Sequence, residues 1–80
     1  MKYTAYVLQD RKGKRYKGVT SDLSRRLKDH SRGKTLTTSR MSELQVVYSE
    51  QFDTFTEARR REVYFKSAAG RRFLKKLLGP

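Results

Sequence analysis

Two phenols, a guanidinium, an imidazole and a carboxylate in this sequence sit at positions whose local pattern asks for something else. Leu23, Arg26, Leu27 and His30 stand at i, i+3, i+4 and i+7, so they share one face of a helix, and two of the four are polar. Phe55, Ala58, Glu62 and Phe65 form a second apolar stripe with a carboxylate in its middle. Tyr6 and Tyr16 fall in two segments of strand composition, and Gly18 follows close behind Tyr16. A glycine inside a strand weakens it and marks a bulge or the close approach of a ligand or another backbone. Brought to one surface, these groups could hydrolyse a phosphodiester. That reaction needs an activated water, a cation for the charge gathering on the phosphoryl oxygens, and help for the leaving oxygen.

Each group also has an ordinary structural reading. Strand tyrosines pack across strands, and a buried arginine pairs with an anion of the same protein because unpaired burial is costly. Two readings therefore stand for Glu62: a bridge to Arg26, or a ligand for a divalent cation while Arg26 meets a phosphate oxygen. Arg59, Arg60 and Arg61 are read as pointing away from the Glu62 stripe, and Arg25, Lys28 and Arg32 as a solvated face of the first helix.

The charge gives such a site a substrate class. Twenty Lys and Arg against eight Asp and Glu leave a formal charge of +12 on 80 residues, a field suited to a polyanion. Nucleic acid fits better than a membrane, because no stretch approaches the ~20 apolar residues of a spanning helix and the cations are spread along the chain. A basic structural protein of the ribosome would carry the same charge, but it would have no need of Glu62 at a core position. With no cysteine and His30 as the one histidine, disulfides and the common structural zinc sites are excluded. The charged run Asp10–Arg15 interrupts any signal-peptide core after Gln9, so a cytoplasmic location is expected.

The elements that must hold these residues follow from turn and cap signals. YTAYVLQ from Tyr3 to Gln9 and RYKGVT from Arg15 to Thr20 flank a turn with Gly13 and predict a hairpin. Both faces of its first strand are apolar, which predicts cover on each side. Ser21 or Asp22 caps a helix running to about Arg32, stopped by Gly33. The polar segment KTLTTSRMS leads to a third strand near Leu44 to Phe52. Thr54 and Glu57 form a capping box for a second helix reaching about Lys66. Ser67 to Gly70 read as a break, and Arg71 to Leu78 as a last helix with Phe73, Leu74, Leu77 and Leu78 facing the core. The whole chain, 1–80, is expected to form one α+β domain (α/β in the broad sense). It has a small three-stranded antiparallel sheet flanked by helices, in the order β-β-α-β-α-α.

In this order and spacing the sequence resembles the GIY-YIG nuclease superfamily, in particular its small stand-alone bacterial members, nearly end to end. TAY at Thr4 to Tyr6 stands for the first motif and YKG at Tyr16 to Gly18 for the second. GVTSDLSRRLKDH, a polar linker, ELQVVYSEQFDTFTEA and RRREVYFK follow. Thr4 and Ala5 replace the usual Gly and Ile, and Lys17 replaces the apolar centre of the second motif, on what should be a packed face. The resemblance implies a metal-dependent endonuclease with catalytic residues Tyr6, Tyr16, Arg26, His30 and Glu62. Glu62 holds a single Mg²⁺ or Mn²⁺, Arg26 clamps a non-bridging oxygen, Tyr6 is the base, Tyr16 its orienting partner and His30 an auxiliary group. It implies DNA as substrate, and without a recognition domain, flexible single strands cut with little sequence specificity. The protein would act as a monomer or homodimer. A non-catalytic nucleic-acid-binding module that keeps the fold is the alternative.

Overall fold

A strand with apolar side chains on both faces is stable only where both faces are covered. The computed structural model, which describes residues 1–31 and 44–79, puts that strand in the middle of the sheet. β1 (Tyr3–Gln9) lies between β2 (Arg15–Thr20) and β3 (Gln45–Phe52), antiparallel to both, and Thr4 to Leu8 are all buried. The hairpin register sets Tyr6 opposite Gly18, Val7 opposite Lys17 and Leu8 opposite Tyr16. Its turn is held by the Asp10 carboxylate, which accepts from the backbone N–H of Lys12 and Lys14 at 3.0 and 2.7 Å. Gly13 takes the positive φ there, +87°.

Three helices complete the α+β order β-β-α-β-α-α: α1 (Leu23–Ser31), α2 (Phe55–Lys66) and α3 (Ala68–Leu78). Asp22 caps α1, its carboxylate accepting from the Arg25 N–H at 3.1 Å. The expected end of α1 at Arg32 and Gly33, and the polar segment after it, lie outside the described residues. Thr54 caps α2 by accepting from the Glu57 N–H at 3.2 Å. The expected break over Ser67 to Gly70 narrows to Ser67 alone, which is extended and caps α3 through the Gly70 N–H at 3.1 Å. Gly70 has a different task. A Cβ there would stand 1.8 Å from the Tyr64 carbonyl oxygen, so only glycine lets the first turn of α3 lie against the end of α2.

α2 and α3 bury one face of the sheet. Ala5 and Val7 meet Phe65 and Leu74, with Val47, Tyr48 and Phe73 packed around them. Two expected core positions are corrected. Phe55, the first residue of α2, is 53% exposed and touches Tyr3 edge-on, and Leu77 is 51% exposed. The buried row of α3 is the narrow one through Gly70, Leu74 and Leu78, which leaves Leu77 to one side. Arg61 points away from the Glu62 stripe, as expected, and is half-buried against β3 and α3. Its Nε and one Nη donate to the two Glu50 oxygens at 3.0 and 3.1 Å, and its guanidinium covers the Tyr64, Phe65 and Phe73 rings at 4.7 to 5.1 Å. Among the described residues, no helix is long and apolar enough to cross a membrane.

Candidate active site

The opposite face of β1 and β2 carries the tyrosines, because side chains alternate along a strand. Tyr6 is 1% exposed and opposes Gly18 across the hairpin. A Cβ on Gly18 would lie 2.5 Å from the Tyr6 hydroxyl and 2.6 Å from Cζ, so the Tyr6 ring runs directly over the glycine. The close approach expected at Gly18 is thus made, within the protein itself, by a phenol. α1 then covers this face with His30, 1% exposed, whose Nε2 shares a hydrogen bond of 2.9 Å with the Tyr6 hydroxyl. The Tyr16 ring stands edge-on to the imidazole at 4.8 Å and tilted against Tyr6 at 6.4 Å. His30 is therefore packed between the two tyrosines at the deep end of the site.

Arg26, one turn before His30 on α1, is half-buried and lines the cleft beside both phenols, which hold its guanidinium above its ordinary value, Tyr6 foremost. Glu62 arrives from α2, buried, and takes its cations from its own helix. Arg59 donates to Oε1, and Lys66 donates to Oε2 at 3.1 Å. Reading Arg59 as turned away from Glu62 is corrected here. The spacings i−3 and i+4 from Glu62 put Arg59 and Lys66 within reach on the helix surface, and were the available signal. Tyr6, Tyr16, Gly18, Arg26, Arg59 and Glu62 together border one open cleft of about 230 Å³, with Phe55 and Val19 at its rim. Four of the five expected catalytic side chains thus line the cleft itself, and His30 stands behind Tyr6.

The electrostatics follow from burial. The Tyr6 phenol is pushed above its ordinary value by burial, against the Arg26 hydrogen bond that favours the phenolate. The His30 imidazole is held below its ordinary value, first by burial and then by the Arg26 charge, with the Asp29 carboxylate opposing. At neutral pH the pair is a protonated phenol beside a neutral imidazole, one of whose ring nitrogens carries a lone pair and can accept.

A divalent cation can be tested against the donor set. Among the described residues no three His, Cys, Asp or Glu side chains cluster, which excludes an all-protein cage built from them. Among the described residues, Glu62 alone offers a carboxylate at the cleft. One carboxylate, with water and phosphate oxygens for the rest, is a donor set that Mg²⁺ accepts because it dehydrates reluctantly. The residues therefore fit a hard, partly hydrated ion, provided that it displaces Arg59 and Lys66 from the carboxylate.

Comparison with known proteins gives the family to which this fold belongs. Residues 2–76 match the family described as the GIY-YIG catalytic domain. A UPF0213 protein of Streptococcus agalactiae serotype V is 41% identical over 63 residues, which are 76% of this chain and 70% of the relative. A UPF0213 protein of Staphylococcus saprophyticus is 31% identical over 75 residues, 92% of each chain. The solution NMR structure of a UPF0213 protein from Bacillus halodurans has a TM-score of 0.59 at 32% identity, over 99% of this chain and 87% of that one. The chain belongs to the GIY-YIG catalytic-domain family, a nuclease-type family, together with the small bacterial UPF0213 proteins.

Proposed function

We propose that the protein is an endonuclease that hydrolyses phosphodiester bonds in DNA, preferring flexible single strands, with little sequence specificity. The observation that carries this reading is the meeting of Tyr6, Tyr16, Arg26 and Glu62 at one cleft, in a chain of charge +12. In this reading Glu62 holds one Mg²⁺ or Mn²⁺, and the bound ion supplies positive charge that polarises the phosphate and steadies the leaving 3′-oxygen. Arg26 clamps a non-bridging phosphate oxygen and stabilises the charge that gathers there in the transition state.

Tyr6 acts as the base toward the attacking water. Alone it is a poor one, since burial raises its value. The neutral His30 behind it answers this difficulty, because the Tyr6 hydroxyl can pass its proton to Nε2 at 2.9 Å as it takes one from water. His30 thereby becomes the proton acceptor at the end of a short relay. Tyr16, beside Arg26 in the cleft and packed on His30, orients the pair.

The test is a panel of one labelled sequence presented as single-stranded DNA, duplex DNA and RNA, at fixed salt, with Mg²⁺, Mn²⁺ or chelator. Metal-dependent internal nicking, fastest on single-stranded DNA, is the expected result. Binding of all three without cleavage would favour the non-catalytic module, and preferential cutting of duplex at a defined sequence would overturn the substrate assignment.

A further inference from the structure

The edge strand β2 alternates between two surfaces. Tyr16 and Gly18 look into the cleft, whereas Arg15 and Lys17 lie on the other face and line a groove closed by Arg71, Leu74 and Lys75 of α3. This groove, about 280 Å³, has four cationic side chains on its walls and, among the described residues, no acidic one. Its cations are held in place from two elements. Arg15 is tethered by its Nε to the Gln9 side chain at 2.8 Å and by Nη2 to the Gly79 carbonyl at 2.9 Å. Arg71 and Lys75 project from one side of α3, one turn apart.

Lys17 stands where the sheet pattern asks for an apolar residue, opposite the buried Val7. Burial holds its ammonium below the ordinary value, and the charges of Arg71, Arg15 and Lys66 push in the same direction. Four like charges gathered round one groove cost free energy in the empty protein and lose that cost when an anion enters. Lys66, which donates to Glu62 in the cleft at 3.1 Å, is among the charges that act on Lys17.

We propose that the groove between β2 and α3 is a second phosphate-binding surface, on which the backbone of a nucleic-acid strand continues after passing the cleft. The identity of the polyanion rests on the nucleic-acid reading of the cleft. The groove itself rests on its four cations and on the alternation of β2, whose two faces border the cleft and the groove. It makes binding depend on strand length, because only a strand long enough to round the β2 edge reaches both surfaces.

The experiment measures binding of labelled single-stranded oligonucleotides of about 4 and about 16 nucleotides by anisotropy, in chelator, over a range of salt. The full chain is compared with R71Q/K75Q and with R72Q/K76Q, which removes the same charge from the same helix but away from the groove. For the long strand, R71Q/K75Q should reduce the slope of log K against log salt by about 1.4, at ~0.7 for each phosphate no longer neutralised. R72Q/K76Q should leave that slope in place, and the short strand should not distinguish the two variants. Equal slopes for the two variants on the long strand would overturn the groove while leaving the cleft reading intact. Failure of the unaltered protein to bind either strand would overturn both. If R71Q/K75Q instead abolished binding to phosphatidylserine vesicles and left the oligonucleotide slope unchanged, the groove would be a lipid surface and the proposal wrong.

Discussion

Gly18→Ala is the smallest change that should dismantle the site without touching a charged group. The new methyl would meet the Tyr6 hydroxyl at 2.5 Å and Cζ at 2.6 Å, distances that Cβ atoms essentially never show. Tyr6 is 1% exposed, so its ring cannot simply swing into water; it must rotate off His30 or the two strands must part. Overpacking of this kind costs ~1–3 kcal/mol. Replacing glycine within a strand returns ~0.5–1 kcal/mol. The balance is a net loss of between roughly 0 and 2.5 kcal/mol, centred near 1 kcal/mol, which in a domain of this size lowers Tm by several degrees, at ~4–8 °C per kcal/mol. Activity should suffer more than stability, because a displacement of about 1 Å in a reacting group can cost ~10²-fold. The assay pairs thermal denaturation with single-turnover cleavage for Gly18→Ala, Tyr6→Leu and the double variant. With the ring removed, Gly18→Ala should become neutral or stabilising. An equal loss of Tm with and without the Tyr6 ring would refute the close approach and the role given to Gly18.

Other substitutions probe other parts of the site and the core. Arg26→Ala should lower turnover by roughly 10²-fold, the scale for removing one transition-state donor, while Arg25→Ala, exposed beside it, changes little; equal effects in single-turnover assays would contradict the direction assigned to Arg26. Arg61→Ala should cost ~1–3 kcal/mol through the paired hydrogen bonds to Glu50 and the aromatic cover, with Arg61→Lys restoring less than half. A change within about 0.5 kcal/mol by thermal denaturation would place Arg61 among ordinary surface residues. The lowered His30 value gives a pH dependence with a definite sign. The unfolded chain takes up the proton first, so the stability from neutral His30 is intact above the unfolded value of ~6.5 and is lost as pH falls below it toward the lower folded value. Tm should therefore fall on acidification more steeply in the natural protein than in His30→Gln, and parallel profiles would show that His30 does not titrate as described.

What is legible in the sequence is local. The Thr54 cap, the Gly13 turn, the two-faced β1 and the shared stripe of Arg26 and His30 all depend on residues close together in the chain, where period and turn chemistry are decisive. The proximity of Tyr6 to Gly18 is half legible. Glycine in a strand announces a close approach, but which group approaches depends on the hairpin register. Helical period puts Arg61 off the Glu62 stripe but cannot name its partners, because Glu50 and Phe73 come from β3 and α3. Ser67 to Gly70 read as a break because small residues favour breaks, whereas Gly70 is small to admit the Tyr64 carbonyl. Lys17 is a flaw in a motif until Arg15, Arg71 and Lys75 are seen around it.

Glu62 has to serve a metal ion at a phosphodiester-cleaving site, rather than the stability of the fold, if the proposed function is right. Its ion-pair partners among the described residues, Arg59 and Lys66, are 53% and 52% exposed, so removing each pair should cost no more than ~1 kcal/mol. The decisive experiment is single-turnover cleavage of a labelled single-stranded oligonucleotide across a Mg²⁺ titration, for the natural protein and Glu62→Gln, with Tm and oligonucleotide binding recorded for both. Metal-dependent cleavage that Glu62→Gln abolishes at every Mg²⁺ concentration, with Tm and binding little changed, is the expected outcome. Cleavage that persists in folded Glu62→Gln with the same Mg²⁺ dependence would show that Glu62 does not hold the metal.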